Sequence, residues 1–264
     1  MTIGKWGLHI LRQKQDRNKT ALKSVIKLKT AKMKKCNLQL ALILMMLPSV
    51  VFLSSCNTVL YTANQPNTPL FDDNNKHQIK AEAGYGTAGI EFKAAYSPVN
   101  HFGIIVNGSF LTSKTRKQYF REAGIGYYGK FNKSFVYEVY GGFGFGTSSD
   151  STSFNANILN LGMTSYGEFS RWFLQGNAGY ISENFEGGLA FRFSNVVFDV
   201  IYNNNITGTN SRAWFFEPTF FGKIGSKNVK LVMSMTFPVY MSGTSAFGFN
   251  TYVVMMGIQG SLGL

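Results

Sequence analysis

The chain has 264 residues, a formal net charge of +13, two cysteines, three histidines, 28 glycines and a charged fraction of 15%. Cys36, Cys56, His9, His77 and His101 are too scattered for a closed zinc site or a disulfide framework. Residues 1–55 hold eleven Lys/Arg and one Asp, so the rest of the chain carries only +3 and has no basic footprint for nucleic acid.

Residues 1–32 are basic. They read as an extension, or as lying upstream of an effective start at Met33-Lys34-Lys35. That triplet is followed by an apolar run from Leu40 to Leu53, too short for a spanning helix, and then by small residues: a secretory signal peptide, removed at about residue 55. Leu53-Ser54-Ser55-Cys56 resembles a bacterial lipobox, which implies lipidation of Cys56 as the first residue of the mature chain. Residues 56–77 contain Pro66, Pro69 and Asp72-Asp73-Asn74-Asn75 with no sustained period, and read as a lipidated N-terminus and short tether.

From residue 78 to 264 the pattern changes to a period of two. In Gly89 to Ser97, Ile90, Phe92, Ala94 and Tyr96 share one face, opposite Glu91, Lys93 and Ala95. Ten such segments are predicted, near 78–86, 89–97, 102–111, 119–131, 135–147, 168–181, 185–199, 214–225, 229–238 and 250–262. After a tight Thr87-Ala88 turn, short connections (98–101, 132–134, 182–184, 226–228) alternate with longer ones (112–118, 148–167, 202–213, 239–249). This is the layout of an all-β, antiparallel up-and-down transmembrane barrel of about ten strands, with both chain ends on the short-turn side. Pro218 is expected to break or bulge the eighth strand.

The composition of the two faces decides the orientation. One face is apolar and aromatic, with Phe92, Val106, Phe143, Leu174, Phe191 and Met256 among its members. The other carries Lys80, Glu82, Glu91, Lys93, Glu122, Lys130, Glu138, Arg171, Glu186, Arg192, Glu217, Lys223 and Lys230, interleaved with glycine and serine. Glycine weakens a solvent-facing strand but suits a narrow lumen, so the charged face is placed inside, where acids and bases pair as an interior network. Tyr128, Tyr140, Phe173, Phe221 and Met255 join it there and occlude the lumen. Aromatics beside the short turns (Tyr96, Phe102, Phe131, Phe135, Tyr180, Phe185) mark an interfacial girdle.

Asn67-Thr68-Pro69-Leu70-Phe71, Gly86-Thr87-Ala88-Gly89-Ile90 leading into Ala94-Ala95-Tyr96, and Phe216-Glu217-Pro218 resemble segments of small outer-membrane barrels of the OmpX and OmpA type, in the lipoprotein form common among Bacteroidota. The resemblance is one of architecture and implies no activity. Gly141 to Gly146 is not followed by the helix and Lys of a phosphate-binding loop and reads as strand. Ser109, His101 and Glu91 do not make a triad, since about eight strand residues, roughly 26 Å, separate His101 from Ser109. No catalytic residue, metal site or cofactor is expected. The expected role is non-enzymatic: an outer-membrane lipoprotein with a plugged interior, structural in the envelope or a scaffold for a partner at loops 148–167, 202–213 or 239–249. The alternative is a lipid-anchored, lipocalin-like barrel whose aromatic face encloses a hydrophobic ligand.

Overall fold

A computed structural model describes residues 59–72, 77–156, 159–203, 206–244 and 247–263. Residues 1–55, read above as a basic extension and signal peptide, and Cys56 lie outside the described residues. The elements in chain order are β1 (Val59–Tyr61), β2 (Gln78–Gly86), β3 (Gly89–Val99), β4 (Phe102–Thr112), β5 (Arg116–Lys130), β6 (Phe135–Ala156), β7 (Leu159–Ile181), β8 (Phe185–Asn203), β9 (Ile206–Gly225), β10 (Val229–Thr236), β11 (Val239–Gly243), β12 (Gly248–Phe249) and β13 (Val253–Gly263).

β2 to β9 pair with their sequence neighbours, β13 pairs with β2, and β10 pairs with both β13 and β9. All these pairings are antiparallel, so the ladder closes into a ten-strand barrel in which β10 and β11 lie end to end as one strand. Closure matters because an open edge in lipid would leave a row of amides and carbonyls without partners.

The break falls beside Pro218, not in its own strand. β9 keeps one register with β8 from Ile206 to Ile224, and Phe191 sits opposite Pro218 without a bulge. Across the other edge Phe237 N donates to Pro218 O at 2.9 Å, but Pro218 has no N–H to return, and Pro238 follows. β10 therefore ends at Thr236 and β11 resumes at Val239 in the same register against β9, and that register then shifts by one residue between Tyr240 and Ser242.

Three of the longer predicted connections are also corrected. Most of 148–167 and 202–213 is strand: β6 and β7 run for 22 and 23 residues, β8 and β9 for 19 and 20. A membrane crossing needs about 9–11 residues, so these two hairpins stand far above the lipid. Their upper halves need no apolar face, and the Ser, Thr, Asn and Gly found there read as loop in a hydropathy pattern. Within 239–249, β11 and β12 are likewise strands.

The two faces fall as the charge pattern requires. Phe92, Val106, Phe143, Leu174, Phe191 and Met256 are exposed on the outer surface, while the charged face is inside, with Glu138, Arg192 and Glu217 wholly buried. The aromatic face thus does not enclose a cavity, which overturns the lipocalin-like alternative. Near the short turns the exposed rings of Phe135 and Tyr180 meet at 5.4 Å, and the exposed Phe131 meets the half-buried Tyr137 at 4.7 Å. Higher up, Trp172 and Trp214 meet edge to face at 4.8 Å.

The tether reading is corrected over residues 59–72. From Leu60 to Phe71 every residue is buried, inside the ring. Two prolines and a run of amide side chains prevent this segment from joining the ladder, yet its main chain finds partners on the barrel wall. Leu70 turns the chain at the short-turn end with φ of 51°. There Gly179 leaves room for it, since a Cβ at that position would stand 2.7 Å from Leu70 Cδ1.

The outer band makes a direct prediction. Leu174→Arg, half-way up the lipid-facing side of β7, should lower the unfolding free energy in vesicles by about 2–4 kcal/mol, the usual figure for arginine near a bilayer midplane. Reversible urea unfolding followed by tryptophan fluorescence measures it.

Candidate functional site

The barrel interior is the site, and its chemistry is that of a binding groove wrapped around one peptide. Residues 59–72 climb the lumen, and the wall meets them in sequence. Near the short turns Lys130 pairs with Asp72, Phe71 N donates to Glu138 Oε1 at 2.9 Å, and Lys80 Nζ donates to Leu70 O at 3.0 Å. Next, Lys223 Nζ donates to Thr68 O at 2.5 Å. Gln175 and Asn177 both donate to Asn67 O, at 2.7 and 3.1 Å, while Asn67 Nδ2 donates to Asn107 Oδ1 at 2.8 Å.

At mid-height Gln65 N donates to Glu91 Oε2 at 2.8 Å, and Gln65 Nε2 to Val253 O at 2.7 Å. Asn64 sits at the centre of the charge network. Its Nδ2 donates to Glu122 Oε1 at 3.0 Å, while its Oδ1 accepts from Arg171 and, at 3.3 Å, from Arg192. Above it, Tyr61 OH accepts from Arg171 Nη1 at 2.8 Å and donates to Glu217 Oε1 at 3.0 Å. Gln118 brackets Thr62 by accepting from its N at 3.0 Å and donating to its O at 2.7 Å. At the top Val59 N donates to Asp150 Oδ2 at 2.7 Å, and β1 pairs in parallel with β12.

The thirteen charged residues predicted for the interior lie on the inner face, and the wall brings ten of them into two groups. Arg171 pairs with Glu122, and Arg192 lies 3.4 Å from Glu122 and 3.9 Å from Glu217. Lys93 pairs with Glu82 at 2.7 Å, and Glu186 gathers Lys230 at 3.0 Å, Lys80 at 3.4 Å and Lys223 at 4.0 Å. The expected mutual pairing is therefore only part of the arrangement. Glu91 and Glu138 accept main-chain amides of the inner segment, and Lys130 reaches Asp72 within it.

Aromatic rings fill what remains. The Arg171 guanidinium lies 4.5 Å over the ring of Phe120, and that of Arg192 lies 4.8 Å over Phe173. The inward glycines make these rings possible: a Cβ on Gly142 would overlap Phe173 at 2.5 Å. Phe71 packs on Tyr128 at 5.1 Å and Tyr61 stacks on Phe215 at 5.1 Å, so the segment buries apolar as well as polar surface.

The residues absent from the sequence reading are the segment's own Tyr61, Asn64, Gln65 and Asn67, and the neutral wall amides Asn107, Gln118, Gln175 and Asn177. The one signal was the placement of Asn107, Gln175 and Asn177 at inward positions of predicted strands, where an empty polar lumen would need nothing so specific; Gln118 fell in a predicted connection and the segment's own residues in the predicted tether. Of the rejected triad, Glu91 and Ser109 are cross-strand partners, whereas His101 stacks on Tyr127 at the far end of β4. Among the described residues no group of His, Cys, Asp and Glu is arranged to hold a metal ion.

No protein-family model matches the chain, and no curated protein matches it. Solved structures similar to the chain at low identity include three outer-membrane proteins. The KdgM porin in complex with disordered oligogalacturonate is 12% identical with a TM-score of 0.34, covering 70% of this chain and 99% of its own. The translocator domain of the autotransporter NalP from Neisseria meningitidis is 12% identical with a TM-score of 0.36, covering 70% and 85%. The NanC porin is 11% identical with a TM-score of 0.25, covering 70% and 100%. The class rests on the chain's own geometry: a closed antiparallel ladder, an apolar outer band with aromatic margins and a charged interior define a transmembrane β-barrel.

Removing one carboxylate from the centre of the network should be severe. Glu122→Ala leaves two buried guanidinium groups short of their counter-ion and should cost about 3–5 kcal/mol, read as a lower unfolding temperature in detergent. Glu122→Ala combined with Arg171→Leu should recover part of the loss, because less charge is then left unpaired.

Proposed function

We propose that the protein is a non-enzymatic outer-membrane lipoprotein whose barrel is closed by its own N-terminal segment, and that it works as a scaffold through its tall external hairpins. The observation that carries this is the filled lumen: residues 60–71 are buried along its length and bonded to side chains from around the wall. A ten-strand barrel is only slightly wider than the eight-strand kind whose side chains just fill it, and here a peptide is added. The interior carboxylates are engaged in holding that peptide or the basic residues beside it, which leaves them a structural use. The β6–β7 and β8–β9 hairpins extend well past the length a membrane requires, and loops of such reach are where barrels meet partners. Kinship with small barrels of the OmpX and OmpA type fits this role, the inner segment being an addition to that plan. The Leu-Ser-Ser-Cys motif supports lipidation at Cys56.

Planar bilayers containing the purified protein should show no steady, porin-like conductance, and deletion of residues 57–72 should raise it. Large conductance of the intact protein would overturn the closed-barrel reading. Fatty-acid labelling should be present in the full chain and lost in Cys56→Ser; labelling unchanged in that variant would refute the anchor.

A further inference from the structure

The direction in which the inner segment runs has a topological consequence. β2 begins and β13 ends at the short-turn end, where Gln78 lies opposite Gly263. The chain just before β2 is at that same end, since Asp72 N donates to Gln78 Oε1 at 3.0 Å and Asp72 pairs with Lys130. Going backwards from Asp72, the segment meets Glu138 near the bottom of β6 and reaches Asp150 near the top of the same strand. Twelve residues of strand separate those contacts, about 40 Å along the strand and roughly 30 Å along the barrel axis after tilt, the thickness of a bilayer core. Val59 therefore stands at the long-hairpin end, a membrane away from Phe71.

Cys56 is three residues before Val59. Three residues span at most about 11 Å, so Cys56 cannot return to the short-turn side. In outer-membrane barrels the short turns face the periplasm and the long loops the exterior. We infer that the inner segment delivers Cys56 through the barrel to the external face, so that its lipid anchors in the outer leaflet of the membrane; this rests on the proposed lipidation of Cys56. The wall offers a low exit on one side. β2 has nine residues, a bare membrane crossing, and its Thr87-Ala88 turn is flanked outside by the exposed apolar side chains of Tyr85, Ile90 and Phe110. The barrel is then both the span and the conduit, and the filled lumen keeps the anchor from slipping back.

Single-cysteine reporters in the full chain, expressed in a Gram-negative host and treated with a membrane-impermeant maleimide, test the inference. Asn57→Cys is the reporter, Lys114→Cys in the β4–β5 connection the external control, and Asn132→Cys in a short turn the periplasmic one. Heat-modifiable migration verifies that each variant is assembled. Asn57→Cys should label in intact cells as strongly as Lys114→Cys and gain nothing on permeabilisation, whereas Asn132→Cys should label only after it. Labelling of Asn57→Cys only in permeabilised cells, or in neither state, overturns the inference, as does exchange of the two controls. Failure of the lipid reading shows separately: the chain without reporters would itself label through a free Cys56 thiol and would incorporate no fatty acid.

Discussion

Everything in this molecule follows from the need to satisfy polar groups inside a closed ring of strands. Closure disposes of the ladder edges, but period two then sends every second side chain into a lumen. With thirteen charged residues among them, that lumen would be an expensive place for unpaired charge. Residues 59–72 resolve the problem by bringing a peptide's worth of donors and acceptors to the middle, where side chains from the wall meet them as well as each other.

The chemistry of the segment suits that position. An amide side chain donates and accepts at once, so Asn64 can face Glu122 with its nitrogen and two arginines with its oxygen. Gln118 does the reverse from the wall, closing a pair of bonds around Thr62. Interlocked bonds of this kind reinforce one another in a low-dielectric interior, and they fix the segment's register as well as its presence. Pro66 and Pro69 lack the N–H that would have needed a further partner. A lumen filled in this way leaves solvent-facing function to the hairpins above the lipid.

Much of the barrel was legible in its sequence because lipid and lumen impose opposite demands on alternate residues. Ile90, Phe92 and Tyr96 against Glu91 and Lys93 suffice to orient β3, and the same logic separates the charged face from the exposed apolar one along the other strands. Legibility ends where that contrast ends. Beyond the length a membrane requires, a hairpin strand needs no apolar face, so the Ser, Thr and Asn residues there carry no alternating signal. The inner segment has no period at all, and its Asn and Gln side chains would solvate equally well in a tether. Whether they face water or Glu91 and Glu122 is decided by the ring that forms around them. Pro218 was legible as a disturbance but not as one felt by its neighbour, since which edge loses the donor depends on the pairing of β9 with β10.

The fixed inner segment is most directly tested by amide hydrogen exchange on the protein in lipid. Thr62, Gln65 and Phe71 donate their main-chain N–H groups to Gln118, Glu91 and Glu138. If the segment is part of the folded barrel, these amides should exchange as slowly as those of the central strands β3 and β4. Exchange at the rate of a free chain, with the strands still protected, would mean that residues 59–72 do not occupy the lumen, and the explanation of the interior charges would fall with them.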